Sequence, residues 1–125
     1  MKVYLANGFS PSMLPLRIHY PIYVKFEEIS QQEFCGEIKE ALENNSLVNS
    51  IGHQSTVSLI NSLCGTNLTV NRIAFVTDDE DRILIINIAV RLEEGKVLND
   101  DEIKQLLSQG KIKFIEAQTG ESAEE

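Results

Sequence analysis

Three polar clusters in the sequence combine residue types that can do chemistry. The first is Ile51-Gly52-His53-Gln54-Ser55-Thr56. A glycine lets a ligand approach the backbone closely. The histidine stands where a helical pattern begins, and a helix start offers unpaired N–H groups and positive potential to an anion. An imidazole there can hold a phosphate and also deliver a proton near neutral pH. The plainer alternative is that Gln54 or Ser55 caps the helix while His53 sits in solvent.

The second cluster, Arg91-Leu92-Glu93-Glu94-Gly95-Lys96, follows the longest apolar strand pattern. An arginine just past a buried strand lies at the end of the sheet, where ligands of α/β proteins bind, and its planar fork suits phosphate oxygens. A surface ion pair with Glu93 or Glu94 is the competing reading. The third is the loop from Asn7 to Ser12, whose amide and hydroxyl groups can hold a ribose or a phosphate, or simply make a turn. There is no phosphate-binding Walker loop, dinucleotide fingerprint, zinc-protease motif or nucleophile elbow. No Cys or His spacing marks a metal site.

These clusters need elements to hold them. Residues 2–6 read as a buried strand, and residues 20–26 as a second one, near an edge because Pro21 cannot donate to a ladder. Ser30 to Glu33 is a capping box opening a helix over 31–43 that buries Phe34, Cys35, Ile38 and Leu42. Residues 47–53 are irregular or a very short strand. A second helix, 54–64, places Val57, Leu59, Ile60 and Leu63 on its apolar side and ends at Gly65. The β-rich runs 72–77 and 82–90 flank the acidic turn at 78–81 and read as a β-hairpin. Asn99 to Glu102 is another capping box; Ile103, Leu106 and Leu107 face inward from its helix, which stops at Gly110. Residues 111–118 form the last strand. The expectation is one α/β domain over 1–118, a mixed β-sheet flanked by helices, with an acidic, disordered tail over 119–125.

Composition narrows the function. The 125 residues allow one core, and 42% hydrophobic with 24% charged residues is ordinary for a globular domain. A net charge of −8 argues against coating DNA or long RNA, which needs a basic surface. A nucleotide ligand must then be small and held locally. No apolar run is long enough for a bilayer, and Met1 to Leu5 reads as a first strand rather than a signal peptide, so a cytoplasmic protein is expected. Cys35 and Cys64 each sit in an apolar helical pattern and read as buried, reduced thiols.

Taken in order, the clusters resemble the type III anti-CRISPR ring nucleases of viruses and mobile elements. The resemblance is carried by Val3-Tyr4-Leu5-Ala6-Asn7 with Phe9-Ser10 and Met13-Leu14, then Ser50-Ile51-Gly52-His53 with Ser55-Thr56. It continues through Leu59-Ile60-Asn61-Ser62-Leu63-Cys64-Gly65-Thr66 and Asn71-Arg72. It ends in Arg91-Leu92-Glu93-Glu94-Gly95-Lys96-Val97-Leu98, Glu102-Ile103 and Gly110-Lys111. The resemblance implies a homodimer enclosing one ring of cyclic tetra-adenylate, the second messenger of type III CRISPR defence, with no metal and no cofactor. It implies His53 as general acid, Arg91 on the scissile phosphate, Glu94 in support of catalysis, and Ser10 positioning the ligand. Asn7, Gly52, Ser55 and Thr56 complete the expected ligand contacts. Val90 stands where the family often has glutamine, which bears on ligand contacts, and the acidic tail is longer than expected. A protein that sequesters the messenger without cutting it, or a viral protein–protein adaptor, is the rival from another class. His19 lies in an unmatched segment and is taken as incidental.

Overall fold

The computed structural model describes residues 1–93 and 97–120. In chain order the elements are β1 (Val3–Asn7), a 3₁₀ turn (Pro11–Met13), β2 (Tyr23–Ile29), α1 (Gln31–Glu43), β3 (Leu47–Asn49), α2 (Gln54–Cys64), β4 (Arg82–Ile88), α3 (Asp100–Ser108) and β5 (Ile112–Gly120). The strands make one mixed sheet in the order β2-β5-β4-β1-β3. β1 runs parallel to both β3 and β4, while β5 is antiparallel to β4 and β2. This is the expected α/β domain.

α1 and α3 start where their caps dictate. The Glu33 N–H donates to Ser30 Oγ at 3.0 Å, and the Glu102 N–H donates to Asn99 Oδ1 at 2.8 Å, so both capping boxes form. α2 ends at Gly65, whose φ of 68° is a left-handed turn that only glycine adopts freely. All three helices pack on one face of the sheet. There Phe34, Ile38, Val57, Leu59, Ile60 and Ile103 meet Leu5, Leu84, Ile86 and Phe114. A smaller apolar cluster, Tyr4, Ala6, Ile83, Ile85 and Ala117, lies on the other face under Phe9, Met13 and Phe75. α1 turns slightly from the expected face: Ala41 is buried and Leu42 is 41% exposed.

Several sequence expectations are corrected. The hairpin over 72–77 and 82–90 does not form. Residues 72–77 are not a strand; Phe75 stacks on Tyr4 at 4.2 Å, and buried Thr77 donates its N–H and hydroxyl to the Met13 carbonyl at 2.9 and 3.1 Å. β4 lies between β1 and β5 and is covered by the helices on one face and by Phe9, Met13 and Phe75 on the other, which is why it reads as a continuous apolar run. The acidic turn is instead locked by Asp81, whose carboxylate accepts from the Lys2 and Asp78 N–H groups, each at 2.8 Å. β2 sits at the edge as expected, but three residues further on, and β5 reaches Gly120. Thr119 and Gly120 therefore belong to the sheet, paired with Val24 and Tyr23, and not to a tail. The rest of the tail, 121–125, lies outside the described residues.

The cysteines are buried, but they are not free thiols. Cys35 of α1 and Cys64, the last residue of α2, form a disulfide with their Cα atoms 5.0 Å apart. The two helices pack side by side over the sheet, so two inward-facing cysteines from separate patterns meet. At the end of the sheet where β4 begins, Arg82 donates to both Glu37 (2.7 Å) and Glu116 (3.1 Å). Burial, and then the neighbouring Glu116 charge, push the Glu37 carboxyl above its ordinary value.

Candidate functional site

The site lies at the carboxyl ends of the parallel strands β1 and β4, beside the first turn of α2. Asn7 ends β1, and the chain leaving β4 passes through Arg91. The segment between β3 and α2 is held by a lattice of side chains. The Ser50 hydroxyl donates to the Leu5 carbonyl at 2.6 Å, and Asn49 Oδ1 accepts from the Ile51 N–H at 2.9 Å. Asn71 closes the lattice: its N–H donates to the Ile51 carbonyl at 2.9 Å and its amide to the Asn49 carbonyl at 2.8 Å. His53 is then the N-cap of α2 with an extended backbone (φ −119°, ψ 127°) and makes no side-chain cap. Gln54 and Ser55 lie within the helix and do not cap it, and the imidazole is an exposed group at the helix start, as the plainer alternative expects.

Two cavities meet there. One, of about 570 Å³, is lined by Asn7, Ser12, Met13, Gly52, His53, Arg72 and Phe75 among others. The second, of about 560 Å³, is lined by Asn7, His53, Ser55, Thr56, Val90, Arg91 and Glu93 among others. Asn7 and His53 belong to both. Each cavity brings one arginine.

The structure thus brings together Asn7, Gly52, His53, Ser55, Thr56 and Arg91. Ser55 and Thr56 are buried, 4% and 3% exposed. Thr56 Oγ1 accepts from the Asn7 amide at 3.3 Å, and the Ser55 hydroxyl donates to the Glu93 carbonyl in a short contact. Ser10 lines neither cavity. Its hydroxyl caps the 3₁₀ turn and pairs with Ser12 Oγ at 2.9 Å, and of these two serines Ser12 lines the first cavity. Glu94 lies outside the described residues, so its place at the site is left to the resemblance alone. Among the described residues no group of three His, Cys, Asp or Glu could hold a metal ion.

Arg72 is the residue the sequence clusters missed. It stands against Gly52, where an added Cβ would lie 2.8 Å from Arg72 Nε and 3.0 Å from its Cβ. The signal was present as the polar pair Asn71-Arg72 before an apolar run. The run over 72–77 fits a strand by composition, and a strand residue carries no signal of a site.

The sequence matches one protein family over residues 3–115, a span that holds every candidate residue named above. The chain belongs to the STIV B116-like family. A relative in this family, ORF116 of Acidianus filamentous virus 1, is 46% identical over 117 residues, 94% of this chain and 95% of the relative. Protein 26 of Sulfolobus islandicus filamentous virus is 30% identical over 105 residues, 83% of each chain. The solved structure of B116 of Sulfolobus turreted icosahedral virus superposes with a TM-score of 0.87 at 44% identity, covering 94% of this chain and 99% of B116. The STIV B116-like proteins are viral proteins of archaeal viruses. No helix among the described residues is long and apolar enough to cross a membrane.

Proposed function

We propose that this viral protein is a ring nuclease that opens cyclic tetra-adenylate and so switches off type III CRISPR signalling in the host cytoplasm. The observation that carries the reading is the pair of adjoining cavities that share Asn7 and His53 and hold one arginine each, in a chain of net charge −8. A local cationic site at a helix start in an otherwise acidic molecule fits a small, phosphate-bearing ligand and not a long nucleic acid.

RNA carries its own nucleophile. The ribose 2′-oxygen attacks the adjacent phosphorus and releases its proton to water. The new P–O2′ bond replaces the P–O5′ bond, and the departing 5′-oxygen needs a proton. His53 supplies that proton. Arg91 holds the non-bridging oxygens, where negative charge builds. Arg72 and Asn7 hold a neighbouring nucleotide, so the reacting atoms stay in line. No step needs a metal. Because both cavities open on the surface, two copies related by a two-fold axis can close over one ring, which has matching symmetry.

The test is incubation with cyclic tetra-adenylate in EDTA and separation of the products. Linear fragments ending in a 2′,3′-cyclic phosphate are expected. His53→Ala should slow single-turnover cleavage by about 10²–10⁴-fold while the ring still binds, and His19→Ala should change little. Tight binding without cleavage by the wild type would make the protein a sequestering one. Complete loss of activity in EDTA, restored by magnesium or manganese, would overturn the mechanism.

A further inference from the structure

We propose that Ser55 is a positioning residue, whose hydroxyl latches the segment from Arg91 to Glu93 onto the first turn of α2 and so fixes Arg91 relative to His53. Ser55 lines the second cavity, yet it is 4% exposed. A serine hydroxyl has one proton to give. Here that proton goes to the Glu93 carbonyl, across 38 residues of chain. The next residue, Thr56, is equally buried and accepts from Asn7 at the end of β1. The first turn of α2 therefore ties the end of β1 to the segment that carries Arg91.

The segment needs such an anchor. The Ala89 N–H donates to the Lys111 carbonyl at 2.7 Å, still in line with the sheet, and Asn99 begins the cap of α3. Between them Leu92 and Leu98 pack against the core. Apolar packing is non-directional and leaves the rotation of the backbone loosely set. A hydrogen bond to the Glu93 carbonyl sets it, two residues from the exposed Arg91. Misplacing a charge-stabilising group by about 1 Å can cost on the order of 10²-fold in rate. Ser55 itself touches no reacting atom in this account.

The consequence for cleavage rests on the ring-nuclease reading; the latch does not, and the experiment reads the two separately. Backbone order of Val90 to Glu93 is measured by ¹⁵N relaxation in the full chain, for wild type, Ser55→Ala and Ser55→Thr. Order parameters near 0.85 in the wild type should fall below about 0.6 in Ser55→Ala and return in Ser55→Thr, which keeps the hydroxyl. β4 and α1 should not change. In the cleavage assay Ser55→Ala should lose roughly 10-fold or more in kcat, with KM for cyclic tetra-adenylate within about 3-fold, and Ser55→Thr should recover most of the rate. Unchanged order in Ser55→Ala overturns the latch. Unchanged order together with weakened ring binding would make Ser55 a ligand contact instead. If the wild type cleaves nothing, the ring-nuclease reading fails and the relaxation data alone decide the latch.

Discussion

At Gly52 a single hydrogen leaves room for the Arg72 side chain. A methyl group in its place would lie within 2.8–3.1 Å of Arg72 Nε, Cβ and Cγ. The two nearer carbons of that side chain are not a floppy end, so the arginine must swing away from the cavity wall. Gly52→Ala should therefore weaken binding of cyclic tetra-adenylate by about 10-fold in titration calorimetry, a loss typical of one displaced charge-assisted contact. Its melting temperature should stay within a few degrees, since the residue is only half-buried. Unchanged affinity would remove Arg72 from the site. At this scale the sequence is a good guide to polar residues at the ends of elements. Asn7, His53 and Arg91 stand out by type at a strand end, a helix start and the exit of a buried strand, and Asn7 also ties β1 to Thr56. Hydroxyls are harder to read. Ser55 and Thr56 look like ligand contacts by type and both line the second cavity, but each also hydrogen-bonds within the protein. Ser10 and Ser12 differ only in which one caps the 3₁₀ turn.

The elements divide by whether their signal is local. α1 and α3 open on capping boxes and α2 closes on Gly65, which are interactions over three or four residues, so those limits are legible in the sequence. The pairing of β4 is not. An apolar run followed across an acidic turn fits a hairpin as well as a central strand, and only the distant partners β1 and β5 decide it. The same holds for the disulfide, since Cys35 and Cys64 are separated by 29 residues and each fits its own helix as a buried side chain. Closing a loop of that length restricts the unfolded chain by about 3–4 kcal/mol in the chain-entropy account. Cys35→Ser with Cys64→Ser, or reduction with a phosphine, should thus lower the melting temperature by roughly 10 °C. Circular dichroism below the transition should not change, because the helices keep their caps and core. A melting temperature indifferent to reductant would show that the bridge contributes nothing to stability.

As a whole, the molecule carries its helices on one face of the sheet and its candidate site at one end, where β1 and β4 finish. The charge is set against nucleic acid, −8 in total, while Arg72 and Arg91, two of the 11 Lys and Arg residues, line adjoining cavities. On the ring-nuclease reading such a chain should repel polyanions at long range and hold a small one at close range, so ring affinity should weaken with added salt while long RNA stays unbound. Ile73 and Val76 line the first cavity at 43% and 56% exposure, an apolar rim that a lone chain leaves in water. Bases of a bound ring and a second copy of the chain would both cover it. The expected assembly is therefore a dimer, with light scattering giving twice the 14.0 kDa chain mass. Calorimetry should then give one ring for two chains, because each chain supplies one His53 and one pair of arginines to a shared ligand. Mixing wild type with His53→Ala chains should leave one working histidine in each mixed dimer, and cleavage should persist there at about half the rate per ring, each imidazole serving its own phosphate. A monomer that binds a whole ring and cleaves it would contradict the shared site. In that case the two adjoining cavities of a single chain would have to hold every phosphate the reaction needs.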